Sequence, residues 1–444
     1  MIFVAKAKSM AKLAKAASIE FSFATSEKKN SALKTLANLL IENKDKILAE
    51  NLKDVKAAEK SRLADSMVKR LKLDEEKIKL MQEEVLSVSS LQEPAGKTLS
   101  SIELDKGLEL FQVSVPIGVI CCIFESRPDV LIQILALCIK SGNSALLKGG
   151  SEAMLGNKIL FSLVKKALAE NGLPSDAVQL LESREQIDDL LGMDDAVDLI
   201  IPRGSSGLVK YIQNHTRIPV LGHSSGICHI FVDSGADLQK AEIICIDAKT
   251  QYPAVCNAME TMVVHSAIAE KFLPSLCKKL QEKCVPFYAD EKAAKILRKN
   301  GIASKKATEK SWVTEYSDLK LNIKIADSLL EAIQHINKYG SRHTDSIITE
   351  NKENALKFVQ LVDSADVFWN ASTRFSDGYR YGKGAEVGIN TGKIHARGPS
   401  GIESLMTYKY ILTGKGDIVA DYVGKNAKKF THKPLQKDWM SGFL

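Results

Sequence analysis

Paired C-x-x-C spacing is missing from this chain, although it holds eight cysteines. Cys121 and Cys122 stand side by side inside an apolar run, which suits reduced thiols and excludes a disulfide scaffold or zinc ribbon. No H-E-x-x-H and no Cys/His cluster is present, so no metal is expected. No G-x-G-x-x-G follows any strand-like run, so the usual dinucleotide fingerprint is absent, and Gly96-Lys97-Thr98 lacks the upstream glycine of a P-loop. No stretch is apolar without interruption over the roughly 18 residues that a membrane span needs. The first residues, Met1 to Ser18, contain no Arg, and their apolar runs are too short for a secretory signal. They read as a first helix, and a cytoplasmic protein is expected. Nor is there a long stripe of one charge sign. The net charge is +7, but 61 basic and 54 acidic residues are interspersed, which argues against a nucleic-acid partner. Internal repeats and low-complexity tracts are absent.

What is present is an ordinary globular composition, 45% hydrophobic and 26% charged over 444 residues, enough for two or three domains. Residues 1–93 show apolar positions at helical spacing, as in Leu33, Leu36, Leu39 and Leu40. Residues 102–110 alternate around the turn signal Asp105-Lys106-Gly107, a hairpin. From Val113 strands and helices then alternate: strands at 113–124, 144–148, 178–181, 197–201 and 219–221, helices between them. Such βαβα order predicts a parallel sheet covered on both faces, with ligands at the strand C-terminal ends. A second α/β run follows residue 256, with strands at 285–288, 323–326, 347–349 and 367–368. Residues 370–403 read as a Gly-rich functional loop or linker. A second hairpin is expected from Thr407–Leu412 and Ile418–Tyr422, and the basic tail 425–444 is expected to pack loosely.

One stretch organises the chemistry: Asp247-Ala-Lys-Thr-Gln-Tyr-Pro-Ala-Val-Cys-Asn-Ala-Met-Glu-Thr261. Pro favours the first helical position, so Cys256 is expected in the first turn of a short helix. There, backbone N–H groups would lower its pKa into the range of roughly 3.5–7.5 and make it a nucleophile. A buried structural cysteine is the other reading of this stretch. Three strand-to-helix turns resemble a bed for a phosphate-bearing cofactor: Leu147-Lys-Gly-Gly-Ser-Glu152, Ile201-Pro-Arg-Gly-Ser-Ser-Gly207 and Leu221-Gly-His-Ser-Ser-Gly226. Each alone is ordinary loop chemistry. Phe124-Glu-Ser-Arg-Pro-Asp129 follows an apolar strand, where active sites are built, and is equally a helix cap. Arg374 and Arg397 stand among small residues. They are either surface charges or bidentate partners for carboxylate and phosphate.

Taken together, these segments resemble the gamma-glutamyl phosphate reductases of the aldehyde dehydrogenase superfamily. The match rests on Phe124-Glu-Ser-Arg-Pro, Leu147-Lys-Gly-Gly-Ser-Glu-Ala, Ile201-Pro-Arg-Gly, Gly222-His and Pro253-Ala-Val-Cys-Asn-Ala-Met-Glu-Thr. It continues through Asn370-Ala-Ser-Thr-Arg-Phe-Ser-Asp-Gly, Gly384-Ala-Glu-Val-Gly and His395-Ala-Arg-Gly-Pro, and spans residues 5–422. The resemblance implies an α/β, aldehyde-dehydrogenase-like fold: two parallel-sheet domains plus a small β oligomerisation flap. The expected parts are a cofactor domain (1–98 and 113–240), a catalytic domain (241–400), the flap (99–112 and 401–424) and the tail (425–444).

By the same resemblance Cys256 is the nucleophile, with Asn257 beside it. NADPH is the cofactor, contacted by Lys148, Ser151, Glu152, Gly204, Ser205 and Gly207, with Glu386 on the nicotinamide ribose. Ser126, Arg127, Arg374 and Arg397 would bind the substrate, L-glutamyl 5-phosphate. The oxyanion donors would be the Cys256 backbone N–H with Asn257 or Ser126. Hydrolytic members carry a glutamate base in a Glu-Leu-Gly-Gly segment. The corresponding Val220-Leu-Gly-His-Ser has no carboxylate, as suits a thioester that is reduced and not hydrolysed. A homo-oligomer is implied, and a separate glutamate 5-kinase, since no kinase half is present. Two rivals stay open: a non-phosphorylating aldehyde dehydrogenase of the same fold, and a non-catalytic scaffold.

Overall fold

The computed structural model describes residues 2–182, 185–222 and 225–442. Five helices fill residues 2–90. They begin where small polar side chains cap them: Thr25 accepts from the Lys28 N–H, and Asp74 from the Lys77 N–H. Leu33, Leu36 and Leu40 are fully buried in the first core.

That core is built on a four-stranded parallel sheet of β3 (Val119–Phe124), β4 (Ser144–Lys148), β5 (Val178–Leu181) and β6 (Leu199–Arg203), in the order β5-β4-β3-β6. A single bridge from Ile200 to Val220 extends it on one side. All six residues of β3 are buried, as a central parallel strand with helices on both faces requires. The helix after it, Pro128–Ser141, starts with Pro at its first turn and stops at Gly142, whose φ of 74° is the left-handed cap that glycine favours.

The second sheet has seven parallel strands: β7 (Cys228–Val232), β8 (Met259–His265), β9 (Phe287–Ala289), β10 (Lys305–Lys306), β11 (Leu321–Ala326), β12 (Thr344–Ile348) and β13 (Asp366–Trp369). Their order is β10-β9-β11-β8-β7-β12-β13. β7 pairs with β8, so this sheet starts at residue 228, upstream of the boundary expected at 241. At the other end, the small hairpin of β14 (Gly388–Asn390) and β15 (Gly398–Ser400) leads back to the first domain. Ala385, Val387 and Ile402 pack in the first core, not the second.

The flap is antiparallel: β1 (Thr98–Asp105), β2 (Leu108–Pro116), β16 (Met406–Thr413) and β17 (Lys433–Pro434), in the order β16-β2-β1-β17. Three expectations need correction here. The apolar run 113–124 is not one strand; it breaks between β2 and β3 at Gly118, whose φ is 130°. Residues 419–422 form a turn of 3-10 helix, not the second arm of a hairpin. The tail is not loose. β17 pairs with β1, the Trp439 indole N–H donates to Gly96 O at 2.8 Å, and Lys437 pairs with Glu109 at 2.6 Å. Lysines and prolines hid this edge strand, though both are common on sheet edges. Among the described residues no helix is long and apolar enough to cross a membrane.

Candidate active site

Cys256 lies in the loop that joins the helix Leu238–Thr250 to β8. The expected short helix after Pro253 does not form; residues 251–258 are turns. β8 begins only three residues beyond Cys256, and its buried run needs extended backbone to pair with β7 and β11. Of the eight cysteines six are buried and Cys284 is exposed, while Cys256 is partly exposed. The loop is held from below and from the side. A Cβ on Gly226 would stand 2.1 Å from the Cys256 carbonyl oxygen, so only glycine allows this approach. The Cys228 thiol donates to the same oxygen at 3.2 Å, and the Asn257 amide donates to Ser376 O at 2.7 Å. Lys249 and Glu260, on either side of the loop, form a fully buried ion pair at 2.9 Å.

The Cys256 sulfur has a partner that sequence reading missed. His343 Nε2 lies 3.1 Å from Sγ, and His343 Nδ1 lies 2.7 Å from the Thr344 hydroxyl. With Nδ1 protonated towards Thr344, Nε2 is the acceptor for the thiol proton. Burial in the cleft pushes the thiol up to about 12, Glu386 and Glu315 push the same way, and Arg203 opposes them. The expected standing thiolate is therefore corrected. Without a helix N-terminus beneath it, the sulfur keeps its proton and needs a base at the moment of attack.

The two sheets present opposite ends to the site. In the first sheet the functional turns follow the C-terminal ends of β3, β4 and β6, as anticipated. In the second, Gly226, Cys256 and His343 precede β7, β8 and β12, so the nucleophile sits at N-terminal strand ends. Arg203, the last residue of β6, spans the gap. It contacts the position of Gly388, and its charge reaches Cys256.

The turns proposed for a dinucleotide lie along the first sheet. Lys148 is buried at the end of β4, and its ammonium contacts Gly149 O. Ser151 and Glu152 open the next helical turn. Glu152 does not face outward: the Ser126 N–H donates to it at 2.8 Å, and the Ser126 hydroxyl donates to it as well. Both bonds fall on Glu152 Oε1, so the hydroxyl of Ser126, which is buried with φ 45°, is turned to Glu152. The Ser205 N–H donates to Glu125 at 2.8 Å, at the start of the helix Ser206–His215, while the space over Gly207 is open. A small concavity beside Gly149 and Gly150 is lined by Met154, Asn157, Leu180 and Leu181. Buried Asn157 Oδ1 has no partner there, so an acceptor is left for a ligand donor. Glycine walls, an unmet acceptor and the open space over Gly207 fit a dinucleotide. Glu386 is held by the Gly378 N–H at 2.8 Å, and its charge reaches Cys256. His223 and Ser224 of the third turn lie outside the described residues.

The arginines divide. Arg374 is buried, its Nε donates to Gln251 at 3.0 Å, and its charge interacts with Cys256. Arg127 is paired with Asp129 at 2.6 Å and interacts with Tyr252 of the cysteine loop. Arg397 is not brought to the sulfur; it pairs with Asp363 at 3.1 Å, a carboxylate it shares with Lys393. His343 and Glu315 were not expected from the sequence, and Arg203 and Gly226 only as parts of cofactor turns. Arg342-His-Thr-Asp345 directly before an apolar strand is the same kind of signal as Phe124-Glu-Ser-Arg-Pro-Asp129, read at the opposite end of a strand.

Known proteins of the same fold and of similar sequence are identified by comparison. The model of the aldehyde dehydrogenase family matches residues 4–293. The gamma-glutamyl phosphate reductase of Methanococcoides burtonii is 52% identical over 428 residues, 95% of each chain. That of Acetivibrio thermocellus is 52% identical over 430 residues, 97% of this chain and 98% of its own. The crystal structure of the gamma-glutamyl phosphate reductase from Thermotoga maritima superposes with a TM-score of 0.90 at 40% identity, covering 93% of this chain and 99% of that one.

Proposed function

Because the chain belongs to the aldehyde dehydrogenase family, and within it to the gamma-glutamyl phosphate reductases, we propose that Cys256 and His343 are the reacting pair of an acyl phosphate reductase. The enzyme reduces L-glutamyl 5-phosphate to L-glutamate 5-semialdehyde and releases phosphate, a step of proline biosynthesis. The observation that carries the assignment of residues is the 3.1 Å contact between His343 Nε2 and the partly exposed sulfur.

In this mechanism His343 Nε2 takes the thiol proton as Cys256 Sγ attacks the acyl carbon. The carbon–oxygen bond to phosphate breaks, a thioester forms, and His343 returns the proton to the departing phosphate oxygen. Lys148, Ser151, the Gly204–Gly207 turn and Glu386 would hold a nicotinamide cofactor, which would supply the hydride. The resulting thiohemiacetal collapses to the aldehyde and expels the Cys256 thiolate, which is reprotonated. The Cys256 backbone N–H is the oxyanion donor of this reading, because the Ser126 hydroxyl is given to Glu152 and one hydrogen of the Asn257 amide holds that side chain to Ser376. Arg127 and Arg374 hold the substrate's phosphate and α-carboxylate, with Arg203 close enough to the sulfur to join them.

NADPH is the proposed cofactor, and cytoplasm the proposed location. A separate glutamate 5-kinase would supply the substrate. A homo-oligomer is proposed through the exposed face of β16, where Tyr408, Tyr410 and Leu412 face solvent. Run backwards, the enzyme should reduce NADP with glutamate 5-semialdehyde only when inorganic phosphate is present. Equal rates without phosphate would favour the non-phosphorylating aldehyde dehydrogenase.

A further inference from the structure

The substrate named above has three charged groups: a phosphate, an α-carboxylate and an α-ammonium. The arginines near Cys256 suit the first two and repel the third. We infer that Glu315 receives the α-ammonium and so makes the enzyme selective for a 2-amino acyl chain over the same chain without nitrogen. This inference rests on the function proposed above.

Glu315 stands in the segment 313–320 that leads into β11. β11 is the parallel neighbour of β8, with Asn322 opposite Thr261. The segments that precede β11 and β8 therefore leave the sheet at the same end, and the one before β8 carries Cys256. The seam is pinned immediately after Glu315. The Tyr316 hydroxyl donates to Asn322 at 2.9 Å, Asn322 donates to the Thr261 hydroxyl at 3.2 Å, and the Ser317 N–H donates to Glu260 at 3.1 Å. Glu315 is thus fixed in place by its own neighbours in the chain.

Its carboxylate is half-buried, and among the described residues it makes no hydrogen bond or ion pair. The other carboxylates close to the loop already face cations or donors, Asp247 lying in the field of Arg374. Glu260 is paired with Lys249, Glu386 accepts the Gly378 N–H, and Asp377 is paired with Arg380. The charge of Glu315 reaches both Cys256 and Glu260. In the free enzyme that charge opposes ionisation of the nucleophile, so catalysis of proton loss is not its use. A seated ammonium cancels it. The right substrate then gains at binding and again when the thiol gives up its proton to His343, whereas a chain without nitrogen gains at neither step.

The test compares two aldehydes in the phosphate-dependent reverse direction: glutamate 5-semialdehyde and 5-oxopentanoate, which lacks only the amino group. Glu315→Gln keeps the shape and removes the charge. It should lower kcat/KM for the semialdehyde roughly 10–100-fold, the scale of a hydrogen bond to a charged group. For 5-oxopentanoate kcat/KM should hold within about twofold or rise. An equal loss on both aldehydes would mean a structural role and overturn the inference, as would an unchanged preference. Wild-type turnover indifferent to phosphate would strike the proposed function instead, and the comparison of the two aldehydes would still decide Glu315.

Discussion

At the scale of single residues, the site turns on which atom holds a proton. Burial pushes the Cys256 thiol up to about 12. Below that value the thiolate fraction rises tenfold per pH unit, so alkylation of the free enzyme by iodoacetamide should climb with a slope of one between about pH 7 and 9. A flat profile over that range would mean a standing thiolate. His343→Gln should leave this slope intact, because the histidine accepts the proton during attack on substrate. The same variant should cut kcat by roughly 10²–10⁴-fold, the range of a lost general base. The candidate nucleophile was legible in the sequence: Cys256 sits in a Pro- and Asn-bearing turn just before an apolar strand. Its ionisation was not, because the state of a thiol depends on how many groups crowd around it. His343 was passed over for the same reason. It is 87 residues from Cys256 in the chain, and only the order β8-β7-β12 brings the two together.

At the scale of elements, the cysteine loop is a bridge between the helix Leu238–Thr250 and β8, and a buried ion pair clamps its two ends. Lys249 and Glu260 are both fully buried, with 2.9 Å between them. Burial raises Glu260 to about 7, and the paired lysine opposes that shift. Removing one partner leaves a buried group uncompensated, so Lys249→Met should cost about 3–5 kcal/mol in unfolding by denaturant. The double variant Lys249→Met with Glu260→Gln should recover part of that loss, since no lone charge remains. Additive losses in the double variant would show that the two side chains act separately. Strand positions were readable from apolar runs at β4, β5 and β11, whereas β7 and the helix Leu238–Thr250 were not expected. The polarity of the second site was not readable either. The rule that ligands collect at strand C-terminal ends holds for Lys148 and Arg203, and fails for Cys256 and His343. Hydrophobic patterning places a strand without saying which of its ends faces the neighbouring domain.

At the scale of the whole molecule, the flap is assembled from three distant parts of the chain, and its tail strand closes one edge. β17 covers β1, while β16 leaves the opposite edge to solvent with Tyr408, Tyr410 and Leu412 exposed. One edge is thus sealed within the chain and the other is left available to a second copy. The sealing is specific: the Leu435 N–H donates to Ser101 O at 3.0 Å, Ser101 Oγ donates to Leu435 O at 2.9 Å, and Trp439 reaches Gly96. Deleting residues 425–444 would strip the cover from β1 and leave Leu99 beside a second free edge. Cys256 and His343 lie in the other sheet, so turnover per soluble molecule should survive the deletion. Light scattering after size exclusion should instead show larger or heterogeneous assemblies, growing with protein concentration. If the shortened chain kept the assembly size of the full chain at every concentration, the tail would not be guarding an edge. Its pairing with β1 would then be an ornament of the flap, and the exposed face of β16 would have to be tested directly with Tyr410→Asp.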